Sequence, residues 1–491
     1  MNEGVVPSHR SRLRRARSRE RGVALVMVIG AIAVLASMLA EFQEETSAEL
    51  GAAMAHRDTM KAEYHARSAI YLSRLLLTAE PAMRQALAPL FMMMKRTPPQ
   101  LPIWEYADRL LGVFNDAAAS SEFSSTGGLD PMGAKNVGIK GGKFELQIVD
   151  EDAKINVNSG GLSVATQLRL AQQLMSHFAP PNLNTLFEAR DEQGNATDRL
   201  QMCAAFLDWA DPDEQAYNCD IRANGAASNA IEDAFYSSLK KPYKRKNAPF
   251  DSLEEVHMVR GVTDDLWFSL IDPDPTNPKK RNVTVWGQGT INVNSANAAT
   301  LLSLVCAGAV QGTEVCTDPV QMAAFVSGIS MAKAFSMGAP IFGSPREFVA
   351  TAKGGGMLGP MLVGLGIKPV KFLSEGDFIK MIATESKVFS IYAVGVVVPP
   401  PKDPKAEKKA PVPDADAGEG VVQAAPPPPP RDIRVKIQAV IDFRPGQQTG
   451  LQAPLPGTAL TASASSTHGT AAGAVPQQLA NGGRLLYFRI E

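Results

Sequence analysis

The chain has almost no excess charge: 49 Lys and Arg residues stand against 50 Asp and Glu residues, a formal net charge of −1. The basic residues are concentrated at the N-terminus, which argues against a general nucleic-acid-binding surface. There are only four cysteines and six histidines in 491 residues. The histidines are scattered, and no Cys-x2-Cys or His-x3-His spacing accompanies the cysteines, so nothing points to a zinc site. G-x-S-x-G, H-E-x-x-H and G-x4-G-K-[ST] are also missing, the spacings that build nucleophile elbows, zinc proteases and phosphate loops. The glycine run Gly354–Gly356 has its lysine, Lys353, in front of it, whereas a phosphate loop needs the lysine after its last glycine. No nucleophile and base can be paired, and the chain reads as no enzyme.

One feature stands out against these absences. Residues Gly22–Ala40 form an uncharged, almost wholly apolar run. Seven arginines precede it (Arg10, Arg12, Arg14, Arg15, Arg17, Arg19 and Arg21) and Glu41, Glu44, Glu45 and Glu49 follow. The run is long enough to cross a bilayer as a helix, and the arginines would hold the N-terminus in the cytoplasm. A secretory signal would instead end at a small-residue cleavage site. Two readings fit: an ordinary single-pass anchor, or a prepilin-type leader cut between Gly22 and Val23. No proline follows until Pro81, so a helix from Val23 to Glu80 would be roughly 85 Å long. Ala62, Ala66, Ala69, Leu72 and Leu76 are spaced to share one face of it.

Beyond this helix, residues 82–115 read as helical with breaks at Pro98, Pro99 and Pro102, and 117–142 as a Ser/Gly-rich connection. Lys143–Val149 alternates as a strand does. An internal repeat comes next: Ile155-Asn156-Val157-Asn158-Ser159 returns as Ile291-Asn292-Val293-Asn294-Ser295. Each copy runs from an extended stretch through Asn-Ser into an apolar helical pattern, 165–178 and 296–309, with Asn or Ser as the expected N-cap. Two related helical lobes are thus expected between about 155 and 370. Phe250-Asp251-Ser252 is echoed by Phe342-Gly343-Ser344, and Ser252 with Glu255 has capping-box spacing. Gly261 falls where a helix C-cap would. The acidic run Asp150-Glu151-Asp152 ahead of the first copy reads as a strand-end loop. Strands are expected again at 388–398, 433–443 and 484–491. The intervening loops 399–430, which ends in five prolines, and 445–482 are expected to be disordered.

Cys203, Cys219, Cys306 and Cys316 form two close pairs in a segment expected outside the cytoplasm, where disulfides persist. Four cysteines admit three connectivities, and four free buried thiols is the alternative. Asp208, Asp211, Asp213, Glu214 and Asp220, with Glu232 and Asp233 beyond them, make the densest carboxylate group. Hard oxygen ligands suit Ca²⁺, although the spacing is not that of an EF-hand. A solvated acidic loop is the other reading.

Taken in order, these segments resemble the minor pseudopilin K family of bacterial type II secretion systems (general secretion pathway protein K). Arg21-Gly22-Val23-Ala24-Leu25 is similar to its prepilin-peptidase site, and Asp150–Lys154 with Ile155–Asn158 to its strand-to-helix junction. Phe206-Leu207-Asp208-Trp209-Ala210-Asp211-Pro212-Asp213-Glu214 resembles its acidic Asp-Trp motif. Ile231–Tyr236, Lys241-Pro242-Tyr243, Asn247–Phe250 and Ile291–Ser295 continue the pattern. The resemblance implies an α+β fold: a pilin-like long N-terminal helix plus antiparallel sheet, with a large inserted helical domain of two SAM-like lobes. The expected division is a leader (1–22), a long helix (23–80, transmembrane over 23–40), the first part of the pilin-like α/β domain (81–160), the helical insertion (161–370) and the C-terminal strands (371–491). The resemblance also implies Ca²⁺, for which Asp211, Asp213, Glu232 and Asp233 are the ligands expected. It implies a place at the pseudopilus tip with minor pseudopilins I and J and the pseudopilus below them. Processing by prepilin peptidase, contact with the inner-membrane assembly platform, and a single-pass inner-membrane location with a periplasmic domain are implied with it. The fifth residue after a cut at Gly22 is Met27, where most pilin-like subunits carry Glu. A carboxylate in a bilayer needs a partner, and a tip subunit has none above it. The competing reading is a membrane-anchored nucleic-acid-binding protein, because Phe250–Val262 looks like a helix-hairpin-helix and Lys240, Lys241, Lys244, Arg245 and Lys246 lie just upstream.

Overall fold

The computed structural model describes residues 13–93, 97–115, 142–188, 190, 194, 196–220, 234–336, 339–397, 432–444 and 482–491. The loops expected at 399–430 and 445–482 lie outside these, Gly482 excepted, as does the connection at 117–142, Gly142 excepted.

The long helix α1 spans Leu13–Met93. It does not stop at Glu80 as the first proline suggested. Pro81 and Pro89 sit inside it, each removing one backbone hydrogen bond. The flanking Ala, Leu and Met residues are good helix formers, and Arg84 ties this stretch down through ion pairs with Glu80 and Glu385. Residues 23–57 are exposed all round; the second half packs on a sheet.

That sheet has four antiparallel strands in the order β1-β6-β7-β8: β1 Gly142–Asp150, β6 Val388–Val397, β7 Ile433–Asp442 and β8 Arg484–Ile490. Side chains alternate across a strand, so Phe144, Leu146 and Ile148 line one face with Phe389, Ile391 and Ala393 and with Ile437, Ala439 and Ile441. α1 lies on this face through Ala62, Ala66, Ala69 and Ile70, all fully buried. Leu72 and Leu76 pack at its margin. The alanines bring the helix backbone close to the sheet, and glycine completes the fit: a Cβ on Gly395 would land on the Ala62 carbonyl, and one on Gly142 on the His65 ring. Arg74 of α1 holds the start of β8 by donating to the Gly482 carbonyl at 2.7 Å. The outer edge of β1 is closed by Asn115, which exchanges two hydrogen bonds (2.8 and 2.9 Å) with the Phe144 main chain.

Between β1 and β6 the chain builds the helical region. Its two halves share one plan. β2 (Ile155–Asn156) pairs in parallel with β3 (Val283–Thr284), and β4 (Ile291–Asn292) with β5 (Ile382–Ala383). The region therefore opens at Ile155 and closes at Ala383, wider at both ends than 161–370. The first asparagine of each copy accepts from the N–H two residues on, Asn156 capping the 3-10 helix Val157–Gly161 as expected, but the second has a different role. Asn158 accepts from the Phe250 N–H (2.7 Å) and donates to the Phe250 and Val285 carbonyls (3.0 and 2.8 Å). Asn294 accepts from the Ile341 and Phe342 N–H groups and donates to the Phe342 carbonyl at 2.9 Å. Each clamps the far side of its own lobe. The α-helix N-caps are other residues: Ser163 for Val164–Phe178, Asp198 for Arg199–Ala210 and Asn297 for Ala298–Gly308. Nor does Ser252 form a capping box. Glu255 takes the Asp251 N–H and the Trp209 indole instead, and the segment Leu253–Met258 is a 3-10 helix.

The two lobes share one continuous hydrophobic core. His177, fully buried at their contact, donates from Nε2 to the Leu270 carbonyl (2.9 Å) and meets the Ser303 hydroxyl through Nδ1 (3.1 Å). Burial holds its pKa below the ordinary value, and the Ser303 hydroxyl also donates to the Ala299 carbonyl at 3.0 Å.

The acidic run Asp150-Glu151-Asp152 is indeed at a strand end, but it is buried. Asp152 accepts from the Lys387 and Val388 N–H groups (2.7 and 3.1 Å) and from the Gln288 N–H and side-chain amide (2.8 and 2.9 Å). Asp150 accepts from Ser386, and Glu151 pairs with buried Lys154 at 3.0 Å. These contacts join the sheet to both lobes.

Gly395→Ala forces α1 off β6 and should destabilise the chain by about 2–3 kcal/mol, read as a lowered urea midpoint; an unchanged midpoint would refute the close-approach account. Asn294→Ala leaves two backbone N–H groups without their acceptor and should cost about 3 kcal/mol. Asn218→Ala, which removes a single turn hydrogen bond to the Asp220 N–H, should cost about 1 kcal/mol or less in the same assay.

Candidate functional site

Two places in the structure carry the residues singled out for function. The first is the free half of α1. Among the described residues it is the one helix long and apolar enough to cross a membrane, with a mean hydropathy of 2.7 in its most apolar window and none of that window buried. Gly22 and Val23 lie inside this unbroken helix.

The second is the loop after Arg199–Ala210 in the first lobe. A disulfide joins Cys203 to Cys219 (S–S 2.00 Å) and so closes this loop on the helix; Cys306 and Cys316 form the other bond (2.02 Å) in the second lobe. Inside the first ring, the Asp208 carboxylate accepts from the Tyr217 N–H at 2.8 Å. Asp211 Oδ2 accepts from the Gln167 amide at 3.0 Å, while its Oδ1 is buried without a hydrogen bond. Asp213 is exposed and accepts from the Gln215 N–H at 2.8 Å. Glu232 and Asp233 lie outside the described residues. Arg245, buried, reaches across the loop: Nη1 donates to the Asp208 carbonyl at 2.8 Å and Nη2 to the Asp213 carbonyl at 3.0 Å. Nη1 also stands 3.9 Å from Asp211 Oδ1.

Burial pushes the Asp208 carboxyl up to about 7, helped by Asp211 and Asp213 and opposed by the Tyr217 N–H and Arg245. Burial, then Asp213, pushes Asp211 up to about 6. Among the described residues no three His, Cys, Asp or Glu side chains are grouped closely enough to hold a metal ion. Among the described residues Asp211 and Asp213 do not converge with a third carboxylate, and the Asp208 and Asp213 carbonyls accept from Arg245.

Sequence reasoning counted Arg245 in a basic cluster with Lys240, Lys241, Lys244 and Lys246. The cluster is divided in the structure: Lys246 pairs with Asp251 and Glu255, and Arg245 serves the acidic loop. The turn that would approach a nucleic-acid backbone is packed inward, since a Cβ on Gly261 (φ +85°) would meet the Thr197 side chain. Both observations weigh against a phosphate-binding face.

The family model for type II secretion system (T2SS) protein K matches residues 153–271. The matched segment is the first lobe from just after the buried acidic junction, and it contains the Asn158 clamp, the Cys203–Cys219 ring and the acidic loop. Over 256 residues the chain is 24% identical to the type II secretion system protein K of Pectobacterium carotovorum subsp. carotovorum, covering 52% of this chain and 62% of that relative. The chain thus matches less than two thirds of the relative's length. A solved structure, the GspK-GspI-GspJ complex from the enterotoxigenic Escherichia coli type 2 secretion system, aligns with 63% of this chain and 77% of its own at 14% identity and a TM-score of 0.34.

The raised carboxyls set a pH dependence. Unfolded, Asp titrates near 3.9; folded, Asp208 and Asp211 titrate at about 7 and about 6. The folded state binds protons the unfolded state has lost, so stability is greatest below about pH 4 for these groups and declines until about pH 7. Asp208→Asn keeps an acceptor for Tyr217 and should raise the melting temperature much more at pH 8 than at pH 4.5; equal effects at both pH values would contradict the assignment.

Proposed function

We propose that this chain is a minor pseudopilin at the tip of the type II secretion pseudopilus, where it initiates or caps assembly with minor pseudopilins I and J. The assembly would serve export of folded proteins across the outer membrane. The observation that carries the reading is the division of α1. Its first half is apolar and bare, its second half is fixed to a four-stranded sheet, and a protein-K-family lobe comes after the first strand of that sheet. A helix built this way holds a subunit in the inner membrane as a single-pass protein and presents its periplasmic head outward. The same bare surface then packs on helices of other subunits once the chain leaves the bilayer.

Arg21-Gly22-Val23 supplies the junction for prepilin peptidase, with the membrane assembly platform as the next partner. Met27 supports a place at the end of the filament: it offers no carboxylate to a subunit above it, and no such subunit is needed at a tip. The two lobes add bulk to the sheet face opposite α1, which suits a terminal position better than a repeating one. The role is structural, and no catalytic step is assigned.

The deciding measurement is the mass of the N-terminal peptide from membrane-recovered protein. Processing should leave a chain beginning at Val23, with N-methylation; Gly22→Leu should retain the arginine-rich leader and lose co-purification with minor pseudopilins I and J. A wild-type chain that keeps its leader in cells with active prepilin peptidase would sink this reading.

A further inference from the structure

We infer that Arg245 is the resident counter-cation of the acidic loop, so that this chain closes the loop with a tethered guanidinium in the place where its family resemblance implies a divalent ion. A calcium ion holds a loop by drawing six to eight oxygens together, main-chain carbonyls among them. The carbonyls that converge across this loop, those of Asp208 and Asp213, both accept from Arg245, at 2.8 and 3.0 Å. The carboxylate oxygen left unbonded in the loop interior, Asp211 Oδ1, is the one that stands 3.9 Å from the same guanidinium.

Three further carboxylate oxygens of the loop have donors of their own. Asp208 takes the Tyr217 N–H, Asp211 Oδ2 the Gln167 amide and Asp213 the Gln215 N–H. A guanidinium suits this arrangement because its donors form a rigid planar fork that spans two acceptors at once. Lysine carries the same charge with its three donors on one atom and lacks that planar fork.

The backbone delivers Arg245 to this position. Asn247, two residues on, is the one non-glycine residue with positive φ (51°) among the described residues, a conformation asparagine tolerates better than most. The turn it makes lets the Ala248 N–H reach the Trp209 carbonyl at 3.3 Å, which lays this segment against the end of the helix that carries Asp208. The Cys203–Cys219 bond fixes the loop's other end. The cation is therefore supplied by the fold and cannot dissociate.

The test is thermal melting of the full chain in detergent, in millimolar CaCl2 or in EDTA, for the wild type, Arg245→Lys and Arg245→Gln. The wild type should melt within about 1 °C in the two buffers, as expected where no ligand binds the folded state. Arg245→Gln should melt several degrees lower in EDTA and recover part of the loss in CaCl2, with Arg245→Lys between. A wild-type midpoint that moves by several degrees between the buffers overturns the inference, as does an Arg245→Gln chain that melts like the wild type in EDTA. Should Arg245→Gln not fold, calorimetric titration of the wild type with CaCl2 decides: saturable heat overturns the proposal and its absence supports it. None of these outcomes bears on N-terminal processing, which tests the pseudopilin role separately.

Discussion

One carboxylate organises the molecule. Asp152 accepts four hydrogen bonds, two from the backbone at the start of β6 and two from Gln288 between the lobes, and its own carbonyl receives the Asn292 N–H that begins the second lobe. A buried charge is tolerable only when its lone pairs are occupied, so the sheet and both lobes must be in register for this residue to be satisfied. Asp150 beside it, bonded to Ser386, has its pKa raised by burial and by Asp152 itself. Glu151 is held by Lys154 and Thr284. Asp150 and Asp152 thus meet the chain entering β6 while Glu151 between them faces the first lobe, and a slip of one residue would point each at the wrong neighbour.

The junction fixes where the lobes sit; the helix–sheet contact fixes where the membrane lies relative to them. Both depend on small residues or small distances. Alanines at positions 62, 66 and 69 and glycine at 395 remove side-chain bulk so that main chain meets main chain. Such contacts tolerate little substitution because the obstacle is backbone, which cannot rotate out of the way.

Much of this was legible in the sequence, for identifiable reasons. The apolar run, the alternating strands and the alanine stripe come from hydrophobic spacing, which local geometry converts directly into structure. The repeat Ile-Asn-Val-Asn-Ser announced two matching units. Its meaning was not legible, because Asn158 and Asn294 bond to residues about 90 and 50 positions away, and no local rule distinguishes a clamp from a cap. The end of α1 was misjudged because an exposed proline interrupts the hydrogen-bond ladder without ending the helix when a long-range ion pair, Arg84 with Glu385, holds the turns beyond it. Arg245 was hidden among lysines: composition makes one basic cluster of them, and only the fold gives Arg245 and Lys246 separate partners. The acidic run was legible as a strand-end loop, but its burial was hidden for the same reason, since its partners come from Lys387, Val388 and Gln288.

The two lobes repeat one pattern yet have no separate interiors. Phe178, His177 and Ser303 belong to a single packed volume, and each lobe's inner face is the other's wall. Units of this kind cannot be traded one at a time between related chains, because a foreign lobe would bring a surface cut to a different partner. Variation among such proteins would then gather in the connections that leave this shared interior untouched, and the head would be inherited, and lost, as one piece.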